Sequence, residues 1–413
     1  MSNNIVFRIL GLSKFSRKER GLAYIYLVTF VPMIYKLIVP FFVILGLSSY
    51  TIIINPIIMI IGLILAKELF WANIRQSNII CFIIYALTLY LLQFLYPETK
   101  SFYDENYYRF IFQVAIFFFI GLSITEKHTD ILVFVAHMAV IVQVFWQSCF
   151  LLGIVQKEAS FDDSLGEQME LAYQLLFPII ILIMDLSKRI ILKNIIYLFV
   201  ALLLLLFMGT RGPIVVCAAF IVGYYVLINR FERKNLLKKF LITASFVFFY
   251  LFIVPITEFI APLAAHLGFS TRVFDSIIGQ RMIDIDESSG RDYFYQSVYN
   301  SILSNDGFGY GWGGDRLCTP TGGYAHNFEL EILCQYGWIL GGIILVVLFV
   351  YIIKTYVKCE IQDERNMLFS LFCIGLLSLQ LSLSYVIYPL FFVFIGYMVS
   401  LNRRHRRLRI HNK

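Results

Sequence analysis

The chain has 413 residues, of which 59% are hydrophobic and only 15% charged, with a mean hydropathy of +0.77. A soluble domain carries roughly a quarter charged residues, so this composition excludes one and points to an all-α polytopic membrane protein. In such a chain the net charge of +7 sets topology and gives no reason to invoke nucleic acid.

A mostly polar, basic N-terminal stretch precedes the first apolar run, and no small-residue cleavage site follows it. That run is expected to be a retained first span rather than a signal peptide. Since about 20 apolar residues cross a bilayer, the spans are expected at 24–46, 50–70, 78–96, 109–124, 131–154, 171–187, 190–208, 212–230, 239–256, 338–354, 366–382 and 385–400. Residues 1–256 then hold the first nine transmembrane helices. Residues 257–337 form one long external loop with short helices in it. Residues 338–413 hold the last three helices and a basic tail.

With the N-terminus in the cytoplasm, twenty-five Lys and Arg fall inside and eight outside, with Lys36 within the first span. This bias is strong positive-inside evidence, and it places both termini in the cytoplasm. It also favours two spans over 366–400, because only an even number of crossings returns the Arg-rich tail (403–409) to that side. Asp185, Glu170 and Glu258 fall at span ends, not mid-span, which argues against a proton-coupled transporter. Four of the seven cysteines (Cys81, Cys149, Cys217, Cys373) fall in apolar runs, where they act as small hydrophobes. Cys318 and Cys334 lie in the loop, where they could pair; unpaired thiols are the preferred reading.

The loop has a readable interior. Ser288-Ser289-Gly290 is turn-like and predicts a helix from about Arg291, with Phe294, Val298 and Ile302 as its apolar stripe. Asn305-Asp306-Gly307 should stop it. A helix N-terminus attracts anions, and Arg291 adds a forked donor there. Arg211 sits in the tight Gly-Thr-Arg-Gly turn (209–212) between two apolar runs. Alone it snorkels to lipid phosphates, but several forked donors on one face suit a diphosphate.

The run 309–314 matches Gly-x-Gly-x-x-Gly formally. It follows no strand and opens no βαβ unit, so it is a poor nucleotide signature. Its glycines, interleaved with Phe308, Tyr310 and Trp312, read as a mobile loop offering aromatic faces, either to stack on sugar rings or, as is more common, to insert in the membrane interface. His326 is next to Asn327, with Glu329 and Glu331 following, at the head of a span. There it is placed to act as a base near neutral pH. His266, the other external histidine, lacks that context, and two histidines sixty residues apart make a poor metal site.

Taken together, Gly-Thr-Arg-Gly (209–212), Gly-Arg-Asp-Tyr-Phe-Tyr-Gln (290–296), the Gly-x-Gly stretch (309–311) and His326-Asn327 followed by Gly337 and Gly341 resemble the O-antigen polymerase and O-antigen ligase superfamily of bacterial envelope proteins. The layout resembles it too, with about twelve spans and one long external loop before the last three. The resemblance implies a metal-independent, cofactor-free glycosyltransferase of the bacterial cytoplasmic membrane. Its donor would be an undecaprenyl-diphosphate-linked oligosaccharide, and its product O-antigen, capsule or exopolysaccharide. It implies Arg211 and Arg291 as the diphosphate-binding residues and His326 as the catalytic base, with Asn327, Arg281 and Tyr295 in support. Membrane lipid and a chain-length regulator protein are the implied partners. Ligases commonly carry Gly, Thr or Val where this chain has Leu340, with Gly341 one place later, which favours the polymerase over the ligase. A lipid-linked oligosaccharide flippase or a non-catalytic envelope scaffold would leave the Arg-Arg-His placement without a purpose.

Overall fold

The computed structural model describes residues 15–30, 33–47, 57–58, 60–64, 67, 74–154, 161–208, 210–225, 258–259, 261–262, 265–266, 291–319 and 322–411. Among these residues there are helices and no strand. Four helical stretches are long and apolar enough to cross a membrane: Pro97–Ser123, Glu126–Leu151, Met169–Lys188 and Phe328–Lys358. Shorter apolar helices run over Gln76–Leu92, Leu192–Phe207 and Arg211–Gly223. The protein is thus all-α with helices of membrane-spanning character. The span expected at 239–256, most of that at 50–70 and most of 257–290 lie outside the described residues. The first expected span falls on two helices, Arg17–Thr29 and Met33–Ile44.

In chain order the main helices are α1 Arg17–Thr29, α2 Met33–Ile44, α3 Gln76–Leu92, α4 Lys100–Ser123, α5 Thr129–Leu151, α6 Phe161–Lys188, α7 Leu192–Phe207, α8 Arg211–Gly223, α9 Arg291–Ser304, α10 Phe328–Lys358, α11 Gln362–Phe372 and α12 Leu390–His411. The chain divides into two compact units, one of residues 1–72 and 125–283, the other of residues 73–124 and 284–413.

In the first unit α6 packs against α5, α7 and α8, and residues 172–185 are buried throughout. An all-round apolar helix of this kind belongs at the centre of a bundle. Its polar groups are paired. Lys36 Nζ donates to Gln174 Oε1, and Gln174 Nε2 donates to Glu170 Oε1 at 3.0 Å. Asp185 accepts from Arg189 Nε at 3.0 Å and from Asn194 Nδ2 at 2.6 Å.

In the second unit α4 and α12 cross closely. Gly121 and Gly396 face each other at the crossing, where a Cβ on either would run into the other helix's backbone. Small residues that let backbones approach are how helices associate inside lipid. The stretch expected to hold the last two spans is helical over Gln362–Phe372, takes a π turn over Cys373–Leu377, continues as a single turn to Leu381, and resumes at Leu390. Residues 382–386 of the break are buried. Non-helical backbone inside such a bundle is tolerated only where protein or a cavity satisfies it, and here the partners include Glu331 of α10, His326 and the hydroxyl of Ser384.

Candidate functional site

α9 starts at Arg291 and ends at Ser304, where Asp306 (φ 51) and Gly307 (φ 78) turn the chain out of the helix. The predicted stop signal thus works through two left-handed residues, the second a glycine that adopts that conformation without strain. Val298 and Ile302 are fully buried and pack with Cys318, Ala325 and Cys334. Phe294, the third member of the stripe, lies edge-on to the His326 ring with centroids 5.8 Å apart.

The glycine run does not behave as a mobile aromatic paddle. Trp312 is completely buried, among Phe102, Tyr103 and Phe110 of α4 at ring separations of 4.9–5.0 Å. Tyr310 OH donates to Ser301 O at 2.8 Å. Of the three aromatics only Phe308 stands exposed. The reason is backbone pairing with α10, which is broken at Gly337 (φ 78, ψ 173). In an unbroken helix Cys334 O would accept from Trp338 N. Instead Tyr310 N donates to Cys334 O at 2.8 Å, Gly311 N donates to Gln335 O at 2.9 Å, and Trp338 N donates to Gly307 O at 2.9 Å. The run satisfies the polar groups that the break exposes. Gly309 lies so close to Gln335 and Gly337 that a side chain on it would overlap their backbone.

That docking carries Asp315 and Arg316 into the interior. Asp315 is fully buried; its Oδ1 accepts from Arg316 Nη1 at 2.7 Å and Gln335 Nε2 at 2.8 Å, and its Oδ2 from Ala325 N at 3.1 Å. Arg316 Nη1 is also 3.7 Å from Glu331 Oε1, and its guanidinium lies 4.4 Å from the centre of the Phe102 ring. Glu331, 1% exposed, accepts from the Ser384 hydroxyl and, at 3.4 Å, from Tyr385 N. Tyr385 OH donates to Gln335 Oε1. Two buried carboxylates share one guanidinium, and amide, hydroxyl and backbone groups fill the remaining valences. A buried ionic group needs that completeness to be tolerated.

His326 is at the edge of this cluster. Its backbone is left-handed (φ 55), a region that a non-glycine residue occupies at some cost and that concentrates at functional sites. Its Nδ1 lies 3.1 Å from Ser382 O in the buried break between α11 and α12. A carbonyl only accepts, so Nδ1 carries the proton, and in the neutral ring Nε2 is the acceptor nitrogen. The ring lies 4.2 Å from that of Tyr324, and Tyr295 OH donates to His326 O at 3.3 Å.

The other sequence candidates fall as follows. Asn327 is the N-cap of α10, its Oδ1 accepting from Leu330 N at 3.0 Å, a capping role. Tyr295 is with His326, as described. Arg291 begins α9, and its side chain lies outside the described residues, as does Arg281 altogether. Arg211 is exposed at the first position of α8, in the first unit. His266 is exposed. Sequence reasoning missed Asp315, Arg316, Gln335, Ser384 and Tyr385. A signal existed for the last two: Ser378, Gln380, Ser382 and Ser384 place a polar residue at every second position of an otherwise apolar run.

Comparison with protein-family models, curated proteins and solved structures finds no match to this chain.

Proposed function

We propose that this protein is a polymerase that joins undecaprenyl-diphosphate-linked oligosaccharide units on the outer face of a bacterial cytoplasmic membrane, with His326 as general base. The observation that carries the reading is the seating of His326. Its ring is fixed through Nδ1 on a backbone carbonyl, which leaves Nε2 as the basic nitrogen, and the buried Asp315–Arg316–Glu331 cluster holds the residues on either side of that contact. A base is useful only when so positioned.

In this reading the acceptor sugar hydroxyl attacks the anomeric carbon of the donor sugar. Its proton passes to His326 Nε2, and the bond from the anomeric carbon to the diphosphate oxygen breaks, so that undecaprenyl diphosphate departs. Arg291, on the helix that packs beside His326, stabilises the charge that develops on the leaving diphosphate, and Arg211 is the second donor that the resemblance implies. The polyprenyl tail requires that this happen at the membrane edge, which helices of spanning length permit. O-antigen ligase is the second reading, and it differs in the acceptor.

The test is reconstitution. Purified protein in liposomes, given lipid-linked repeat units alone, should lengthen glycan and release undecaprenyl diphosphate, in EDTA and without nucleoside triphosphate. Extension that stops in EDTA and returns with divalent cation would contradict the metal-independent scheme. Transfer of a single unit to a different acceptor, without chain growth, would favour the ligase.

A further inference from the structure

The loop that carries His326 begins and ends at cysteines. Cys318 closes the single helical turn Asp315–Cys318, Cys334 lies on α10 one turn before the break at Gly337, and Ala325, His326 and Asn327 lie between them. Cys334 Sγ is 3.3 Å from Cys318 Sγ. Both are buried, Cys334 completely, in one small cluster with Val298, Ile302 and Ala325. We propose, against the expectation of unpaired thiols, that Cys318 and Cys334 are joined by a disulfide in the mature protein, closing the loop that presents His326.

Three observations support this. The sulfurs are already in contact, and a bonded pair at about 2.05 Å needs them to approach by a little over one ångström. The elements that carry them are otherwise fixed to each other: Tyr310 N and Gly311 N pair with the carbonyls of Cys334 and Gln335, and Ser297 Oγ donates to Cys318 O at 2.7 Å. The chain therefore brings the two thiols together whether or not they are bonded. Finally, Cys334 donates to Cys318, and this hydrogen bond lowers the Cys318 thiol from its ordinary value, which makes it the readier nucleophile of the two.

The chemistry needs a thiol–disulfide oxidant. The Cys318 thiolate attacks one sulfur of the oxidant's disulfide and expels its other sulfur as a thiol. Cys334 then loses its proton and attacks Cys318 Sγ, which forms the internal bond and expels the second oxidant thiol. Two protein thiols are oxidised and one oxidant disulfide is reduced. Because Cys334 has no exposed surface, the exchange with a bulky oxidant belongs to folding, before the loop closes over it. The inference rests on the external placement of this loop in the proposed function, since an oxidising compartment is where such bonds persist.

The test is mass spectrometry on full-length wild-type protein. Cells are quenched in acid, the protein is denatured in N-ethylmaleimide without reductant, and it is cleaved after glutamate so that cuts at Glu329 or Glu331 separate the two cysteines. The expected result is a linked pair of peptides two hydrogens lighter than their sum, whose one maleimide sits on Cys359 of the peptide that holds Cys334, and in which Cys318 and Cys334 each take up one maleimide only after reduction. Separate peptides with maleimide on both Cys318 and Cys334 without reduction would overturn the inference. The two readings fail separately. Alkylated thiols in a preparation that still extends lipid-linked glycan would remove the disulfide and leave the polymerase. A linked pair in a preparation unable to transfer glycan would do the reverse.

Discussion

His326 Nδ1 lies 3.1 Å from the carbonyl oxygen of Ser382, fifty-six residues further along the chain. Each side of this contact is held from the interior by the same cluster. On one side Ala325 N donates to Asp315; on the other the Ser384 hydroxyl and Tyr385 N donate to Glu331. Arg316 bridges the two acids. The imidazole is held directly by Ser382 O, and the residues on either side of that contact are held in turn by groups that do not touch the ring.

Removing Asp315 should show this. Asp315→Ala leaves Arg316, Gln335 and Ala325 N without their shared acceptor. Breaking a buried ion pair by deleting one partner costs about 3–5 kcal/mol. We expect a lower thermal unfolding midpoint in detergent and a fall in turnover. A variant that unfolds with wild-type protein and turns over normally would detach the cluster from both stability and activity.

Trp312 and Phe308 make a paired prediction about the glycine run. Trp312→Ala empties a site enclosed by three rings of α4 and should cost about 3–5 kcal/mol. Phe308→Ala removes a 72% exposed ring and should change stability by less than about 0.5 kcal/mol. Chemical denaturation of the two variants side by side reads the difference. Equal midpoints would mean that Trp312 does not anchor this run.

Gly337 should tolerate no side chain. At φ 78 an alanine is strained, and its Cβ would fall 2.6 Å from Gly307 O. Gly337→Ala is expected to cut the yield of folded protein several-fold, measured by fluorescence-detected size exclusion. Gly342 has nothing within 4 Å of its would-be Cβ, and Gly342→Ala should match wild type. A well-folded Gly337→Ala protein would contradict the docking of the glycine run onto a broken helix.

For the two arginines the prediction concerns geometry, not charge. If Arg211 and Arg291 grip a diphosphate through forked hydrogen bonds, Lys keeps the charge and loses the fork. Arg211→Lys and Arg291→Lys should each lose most chain extension while inserting normally. Wild-type polymer length in either variant would return that arginine to the lipid surface.

Much of the second unit was legible in the sequence. The helix over 291–304, its buried Val298 and Ile302, and its stop at Asn305-Asp306-Gly307 follow from spacing and turn chemistry, because those are local properties. The glycine run was misread because its glycines serve close approaches, Gly309 to Gln335 and Gly337, Gly311 to Tyr96 and Gly313 to Phe102, and close approach is a tertiary fact without a local signature. The 366–400 segment was read as two spans, 366–382 and 385–400; helix runs to Leu381 and resumes at Leu390, and what the sequence did not show is that the break between them is buried. A hydropathy window averages over Ser382 and Ser384, whose purpose appears only when Glu331 and His326 lie opposite them. Asp315 and Arg316 were not singled out because nothing in the sequence announces that α4 will draw Trp312, and them with it, inside.

The most direct test of the account is turnover by His326→Gln. Glutamine can keep a hydrogen bond to Ser382 O but cannot act as an effective base near neutral pH. A positioned base contributes about 10²–10⁴-fold in rate. With expression and donor affinity matched to wild type, extension of lipid-linked units by purified His326→Gln should fall by that order. Near-normal turnover would contradict the assignment of His326 as the base and leave it only the task of fastening the loop to Ser382.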